Sequence, residues 1–239
     1  METPRPTQMT REEAEKLVES VHAWHHRFEI APGVITPGSY DPRFLLDKMD
    51  LPEDLSGQRV LDIGPSDGFF SLNLRRRGAQ VTAVDYRPKD LHGFGVMERI
   101  SGLEFDYRQS NLYDITHQAF GTFEIVVFFG VLYHLPDMMK ALSIVRSVCS
   151  GQLFLETHCA VELTPEISAA RYYREASLNK DLTNFWSPNV LCLNDMLHDA
   201  AFDVERGETW DKADRYFAAC RINQDQARLR KLRLAYGLM

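Results

Sequence analysis

The chain has 239 residues, of which 44% are hydrophobic and 26% charged, with a formal net charge of −7. That length suits one sizeable α/β domain with an accessory segment and is too short for two full domains. The acidic balance weighs against a broad nucleic-acid footprint, which needs a clustered basic face, and no run approaches the ~18–20 apolar residues of a membrane span.

In chain order, Thr10 followed by Glu13 forms a capping-box pattern. Ala14, Leu17, Val18, Val21, Trp24 and Phe28 then recur at helical spacing, so a first helix is predicted through that stretch, until Pro32-Gly33 and Pro37-Gly38 break it. On such a helix His22, His25 and His26 share one face. From Arg59 the rhythm becomes strands alternating with helices. Strands are predicted at 60–63, 81–85, 103–108, 124–129 and 153–156, with helices at 69–77, 90–100 and 136–149. Residues 159–188 read as irregular, rich in Tyr, Arg, Asn and Trp, and form a candidate substrate lid. A helix at 190–201, a hairpin of 203–209 with 216–222 and a basic helix at 225–234 close the chain. The expected fold is α/β and Rossmann-like, a doubly wound, mostly parallel seven-stranded sheet. An N-terminal helical segment (1–56) precedes the main domain (57–239).

Met1 to Pro6 lack the basic-then-apolar profile of a signal peptide. Cys149, Cys159, Cys192 and Cys220 have no CxxC spacing, which fits free thiols in a cytoplasmic protein.

The strongest chemical signal is the turn Asp62-Ile63-Gly64-Pro65-Ser66-Asp67-Gly68. Glycines between a strand and a helix let backbone approach a ligand, and the helix start offers free N–H groups. The middle glycine of a dinucleotide fingerprint is absent. The spacing Asp-x-Gly-x-x-x-Gly resembles the methyltransferase version instead, which implies an adenosyl cofactor lying on Gly64, Ser66 and Gly68, with Asp62 ordering its ammonium group. Asp85, ending the next strand, suits two ribose hydroxyls. Asn111 and Leu112 stand where an adenine edge is read, with a turn-forming Asn as the alternative.

Gly130 lets backbone pass under the cofactor, and Tyr133 and His134 follow it beside the sulfonium. His134 is a candidate general base or a helix cap. Glu156 and His158, at the fifth strand's end, are placed to bind or deprotonate a substrate hydroxyl. The leading histidines have metal-ligand spacing but no matching acid or cysteine set, so no metal is expected. They are read instead as substrate contacts or as ordinary surface and packing residues, with His26 a further catalytic candidate.

Further blocks carry a wider resemblance: Trp24-His25-His26-Arg27, Gly33 to Gly38, Phe69-Phe70, Gly130 to His134, Leu155-Glu156-Thr157 and Asn184 to Asn189. With the turn, they make the chain similar, from about Trp24 to Arg221, to class I methyltransferases related to the tRNA wobble-uridine 5-oxyacetic acid (carboxymethyl) methyltransferase. That family's tRNA enzyme uses carboxy-S-adenosylmethionine, whose carboxylate is held by a Lys, a Tyr and an Arg. Tyr133 matches the Tyr and Arg215 the Arg; the Lys has no counterpart, Arg27 being the nearest cation.

The leading expectation is therefore transfer from S-adenosylmethionine to an O or N atom of a small molecule, a sugar or secondary metabolite, contacted by Trp24, His25, Arg27, Arg215 and Trp186. A tRNA wobble-uridine methyl- or carboxymethyltransferase using the carboxylated cofactor stands second. A non-catalytic adenosyl-binding module and a nicotinamide oxidoreductase are the rivals from other classes. Arg228, Arg230, Lys231 and Arg233 read as a solvated helix face.

Overall fold

The structure is a computed structural model that describes residues 9–210 and 214–237; the Met1 to Pro6 stretch read above for a signal peptide lies outside the described residues. Thr10 caps α1 (Arg11–Ser20), its side chain accepting from the Glu13 N–H while Glu13 accepts from the Thr10 N–H. A small antiparallel pair, β1 (Glu29–Ala31) with β2 (Val34–Ile35), and α2 (Arg43–Met49) complete the leading segment. The alternating stretch gives β3 (Arg59–Ile63), α3 (Phe69–Arg76), β4 (Gln80–Asp85), α4 (Phe94–Ser101) and β5 (Asp106–Gln109). It continues with α5 (His117–Phe120), β6 (Phe123–Phe129), α6 (Met138–Val148) and β7 (Cys149–His158). Then come β8 (Ala170–Tyr172), β9 (Trp186–Pro188), α7 (Val190–Asp199), β10 (Phe202–Trp210), β11 (Arg215–Ile222) and α8 (Gln226–Tyr236).

The central sheet has seven strands in the order β10-β11-β7-β6-β3-β4-β5. β7, β6, β3, β4 and β5 run parallel, and β11 pairs antiparallel with both β7 and β10. The fold is thus the Rossmann-like α/β architecture expected. The continuous apolar run of β6 is explained by the pleat. Ile125, Val127 and Phe129 enter the core on one face of the sheet, while Val126 and Phe128 enter the core on the other. From β3 the chain goes to β4 on one side, and β6 later lies on the other. In open α/β sheets ligands bind at such a reversal of strand order, here at the carboxyl ends of β3 and β6.

The leading segment departs from expectation. α1 stops at Ser20, and Val21 is already extended at φ −84°, ψ 123°. The backbone of the histidine stretch is claimed elsewhere. Asp67 accepts from the His25 and His26 N–H groups at 3.0 and 2.7 Å, the Arg27 N–H bonds to the Tyr40 carbonyl, and Thr36 Oγ1 accepts from the Phe28 N–H. His22, His25 and His26 therefore share no helical face.

Residues 103–105 lie outside the sheet, because β5 begins at Asp106. β7 starts at Cys149, earlier than the predicted 153. The 159–188 segment contains the β8–β9 pair and is not irregular throughout. All four cysteines are free. Among the described residues no helix is long and apolar enough to cross a membrane.

Candidate active site

The turn between β3 and α3 is shaped by what touches it. Asp62 is buried and accepts from Ser71 Oγ at 2.6 Å. Burial pushes its carboxyl up to about 6, with the Ser71 hydrogen bond opposing. Gly64 has φ +72° and lies against the loop after β6, where a Cβ would stand 2.4 Å from Val131 Cγ2. Gly68 opens α3 at φ +89°, and a Cβ there would meet Met97 Cε at 2.3 Å. Asp67, between these glycines, is wholly buried and is the residue that draws the leading segment onto the turn.

Asp85 ends β4, buried, and its two oxygens receive Arg87: the backbone N–H and Nε on Oδ1, both at 3.0 Å, and Nη2 on Oδ2 at 2.8 Å. Asn111 is exposed and caps a 3₁₀ turn, its side chain accepting from the Tyr113 N–H at 3.0 Å, while Leu112 is buried. Gly130, at φ +69°, donates its N–H to the Glu156 carbonyl and thereby ties the end of β6 to β7.

Near the end of β7, Glu156 is buried and pairs with Arg215 through Nε at 2.6 Å and through Nη2. Burial raises the Glu156 carboxyl while Arg215 pulls it down. The Arg215 guanidinium also lies over the Tyr133 ring, 5.0 Å from its centre. His134 Nδ1 meets Thr183 Oγ1 at 2.9 Å, and Thr183 donates onward to Asp181 at 2.7 Å. His158 Nδ1 meets the buried Ser187 Oγ at 2.6 Å. Burial lowers the basicity of both imidazoles. The Phe185 N–H bonds to the Tyr133 carbonyl and Trp186 Nε1 to the Pro136 carbonyl, so the β8–β9 region is fastened to the loop after β6.

The fold therefore brings Asp62, Glu156, Arg215, Tyr133, His134, His158, His25 and His26 to one edge of the sheet. Desolvation, then the neighbouring His26, pushes His25 down to about 4, although the residue keeps solvent exposure. Trp24 is not in that group. It is packed in the core against Gly93, its indole N–H donated to the Val18 carbonyl at 2.9 Å. Arg27 is exposed. Sequence reading missed Asp67, Arg87 and the Thr183–Asp181 pair. Only Asp67, standing inside the glycine turn, offered a signal.

Residues 38–206 match the model of a family described as a methyltransferase domain. The chain belongs to that family. Curated relatives include the ubiquinone biosynthesis O-methyltransferase of Xanthomonas euvesicatoria pv. vesicatoria (strain 85-10), 36% identical over 106 residues, 44% of either chain. That of Xanthomonas oryzae pv. oryzae (strain PXO99A) is 35% identical over 122 residues. The chain spans less than half the length of these relatives. Among solved structures, the N-terminal domain of EvdMO1 with SAH bound superposes with a TM-score of 0.68 at 18% identity, over 90% of this chain and 98% of that one. The 1,6-didemethyltoxoflavin-N1-methyltransferase of Burkholderia thailandensis, with 1,6-didemethyltoxoflavin and S-adenosylhomocysteine bound, gives 0.57 at 17% identity, over 76% of each chain. At these identities the likeness concerns the methyltransferase fold.

Proposed function

We propose that the chain transfers the methyl group of S-adenosylmethionine to a hydroxyl oxygen of a small molecule, a sugar or secondary metabolite. The observation that carries this reading is the pair of buried carboxylates, Asp62 and Asp85, at the carboxyl ends of the adjacent strands β3 and β4 around a glycine turn. That donor set suits one ammonium group and two vicinal hydroxyls, and the positive-φ glycines let backbone lie against the ligand. Asp62, Gly64, Ser66 and Gly68 would hold the amino-acid end, Asp85 the ribose, and Asn111 with Leu112 the base. The cofactor supplies an already activated methyl carbon, so the protein's part is to position, desolvate and deprotonate the acceptor.

Oxygen is favoured as the acceptor atom because the curated relatives are O-methyltransferases, and sugar is supported by a structure of EvdMO1 determined in the presence of SAH and D-fucose. Plain S-adenosylmethionine is favoured over its carboxylated relative because the Lys of the carboxylate-binding set has no counterpart in this sequence. A tRNA acceptor gains little from the C-terminal helix, where Arg228 is paired with Asp203 and Lys231 with Asp199. The Tyr, Arg and Trp residues of 159–188 would cover the acceptor.

Calorimetric titration with S-adenosylhomocysteine tests the reading. Asp85→Ala is expected to weaken binding about tenfold or more, through loss of two charge-assisted hydrogen bonds. Unchanged affinity in that variant would remove the ribose assignment.

A further inference from the structure

We propose that His26 is the general base that takes the proton of the acceptor hydroxyl, and that Asp67 is the residue that positions it. The inference deepens the methyl-transfer reading and rests on it.

His26 Nδ1 lies 2.5 Å from Asp67 Oδ1, and both residues are buried, at 7% and 0% exposure. An ionised carboxylate can only accept a hydrogen bond, so the pairing puts the ring proton on Nδ1 and leaves the lone pair on Nε2. Nδ1 is the ring atom that Asp67 engages, which makes Nε2 the atom for a substrate hydroxyl. The ring is held on several sides, with the centres of Phe69, Phe70 and Tyr40 at 5.9, 6.0 and 5.9 Å and that of His25 at 4.5 Å. Its direction is therefore fixed before any substrate arrives.

Location supports the same role. The His26 ring packs against Phe69 and Phe70 at the start of α3, and Phe70 in turn packs against Phe129 at the end of β6, 4.8 Å between ring centres. That places the ring beside the glycine turn and the carboxyl end of β6. His134 and His158 are differently placed: each has its Nδ1 against a neutral hydroxyl, Thr183 or Ser187, which stabilises a developing imidazolium charge far less than a carboxylate does. Anchoring of the leading segment alone is already served by the two backbone N–H bonds to Asp67. The ring contact adds a function that anchoring does not need.

In the step proposed, His26 Nε2 accepts the hydroxyl proton while the acceptor oxygen forms its bond to the methyl carbon. The carbon–sulfur bond breaks with its electron pair on sulfur, leaving a neutral thioether, and the imidazolium, held against Asp67, returns its proton to water. The chemical class of acceptor follows: a weakly acidic hydroxyl that is not ionised in solution.

The test compares wild type with His26→Asn, whose amide can still donate to Asp67, and with Asp67→Asn. Methyl transfer is followed as S-adenosylhomocysteine release with D-fucose, catechol and 4-nitrocatechol, the last at a pH above its own pKa. For His26→Asn the rate with D-fucose or catechol is expected to fall about 10²–10⁴-fold, while transfer to ionised 4-nitrocatechol falls about fivefold or less. Binding of S-adenosylhomocysteine by calorimetry should change less than about threefold, and wild type should show a far-downfield imidazole N–H proton resonance that both variants lack. Equal losses on all acceptors, or loss of cofactor binding together with the rate, would reduce the pair to a structural anchor and overturn the proposal. So would wild-type protein that binds cofactor yet methylates none of the three hydroxyl probes. Failure of wild type to bind S-adenosylmethionine at all would instead sink the methyl-transfer reading.

Discussion

Replacing Arg215 with methionine removes one half of an ion pair whose other half cannot reach water. Glu156 keeps only 4% side-chain exposure and takes both Nε and Nη2 of Arg215 on the same oxygen. Removing one partner of such a buried pair costs about 3–5 kcal/mol. That is a large part of the roughly 5–15 kcal/mol that holds a domain folded. For a chain of this size the melting temperature should fall by about 6–20 °C. The loss should also depend on pH. Burial already raises the Glu156 carboxyl, with Arg215 opposing, so without Arg215 it rises further. A carboxyl whose folded pKa is raised contributes stability that is full below its unfolded value and is lost as pH rises through the folded one. The Arg215→Met deficit should therefore be smallest in acid and grow toward neutrality. Adding Glu156→Gln removes the stranded charge and should recover most of the loss. Urea denaturation of the three proteins at about pH 5 and about pH 8 reads all of this. A deficit independent of pH, or a double variant no more stable than Arg215→Met, would refute the reasoning.

Further outcomes follow from the glycine turn between β3 and α3, proposed above to hold the cofactor. Burial holds Asp62 at about 6, and only its ionised form can pair with an ammonium group. Affinity for S-adenosylhomocysteine should fall about tenfold per pH unit below that value and lose this slope in Asp62→Asn, as calorimetry across pH will show. The ligand-free protein carries the opposite dependence, since a raised Asp62 stabilises it in acid and loses that contribution as pH rises through 6. Gly64→Ala should destabilise by about 2–4 kcal/mol in thermal or urea unfolding, through its positive φ and the 2.4 Å approach to Val131. Val131→Ala added to it should recover part of that; a double variant losing the sum of both single effects would refute the contact.

What the sequence by itself determined are the features with a local cause. The alternation of strand and helix is written in apolar spacing, and β6 is legible because a strand covered on both faces carries a continuous apolar run, here Ile125 to Phe129. The turn at Asp62 to Gly68 is legible because backbone at positive φ and in close approach demands glycine at fixed positions. Asp85 is legible as the residue that ends the strand after that turn. Helical spacing misled at His22 to His26, since a periodic pattern says nothing about a distant side chain that captures the backbone N–H groups. The long-range pairings among the candidate site residues were decided only in three dimensions. His26 meets Asp67 across 41 residues, and Glu156 meets Arg215 across 59. Sheet order puts these groups at one edge of the sheet. Whether a buried ionisable group is a base, a stranded charge or half of an ion pair depends on its neighbours there, which no local pattern encodes.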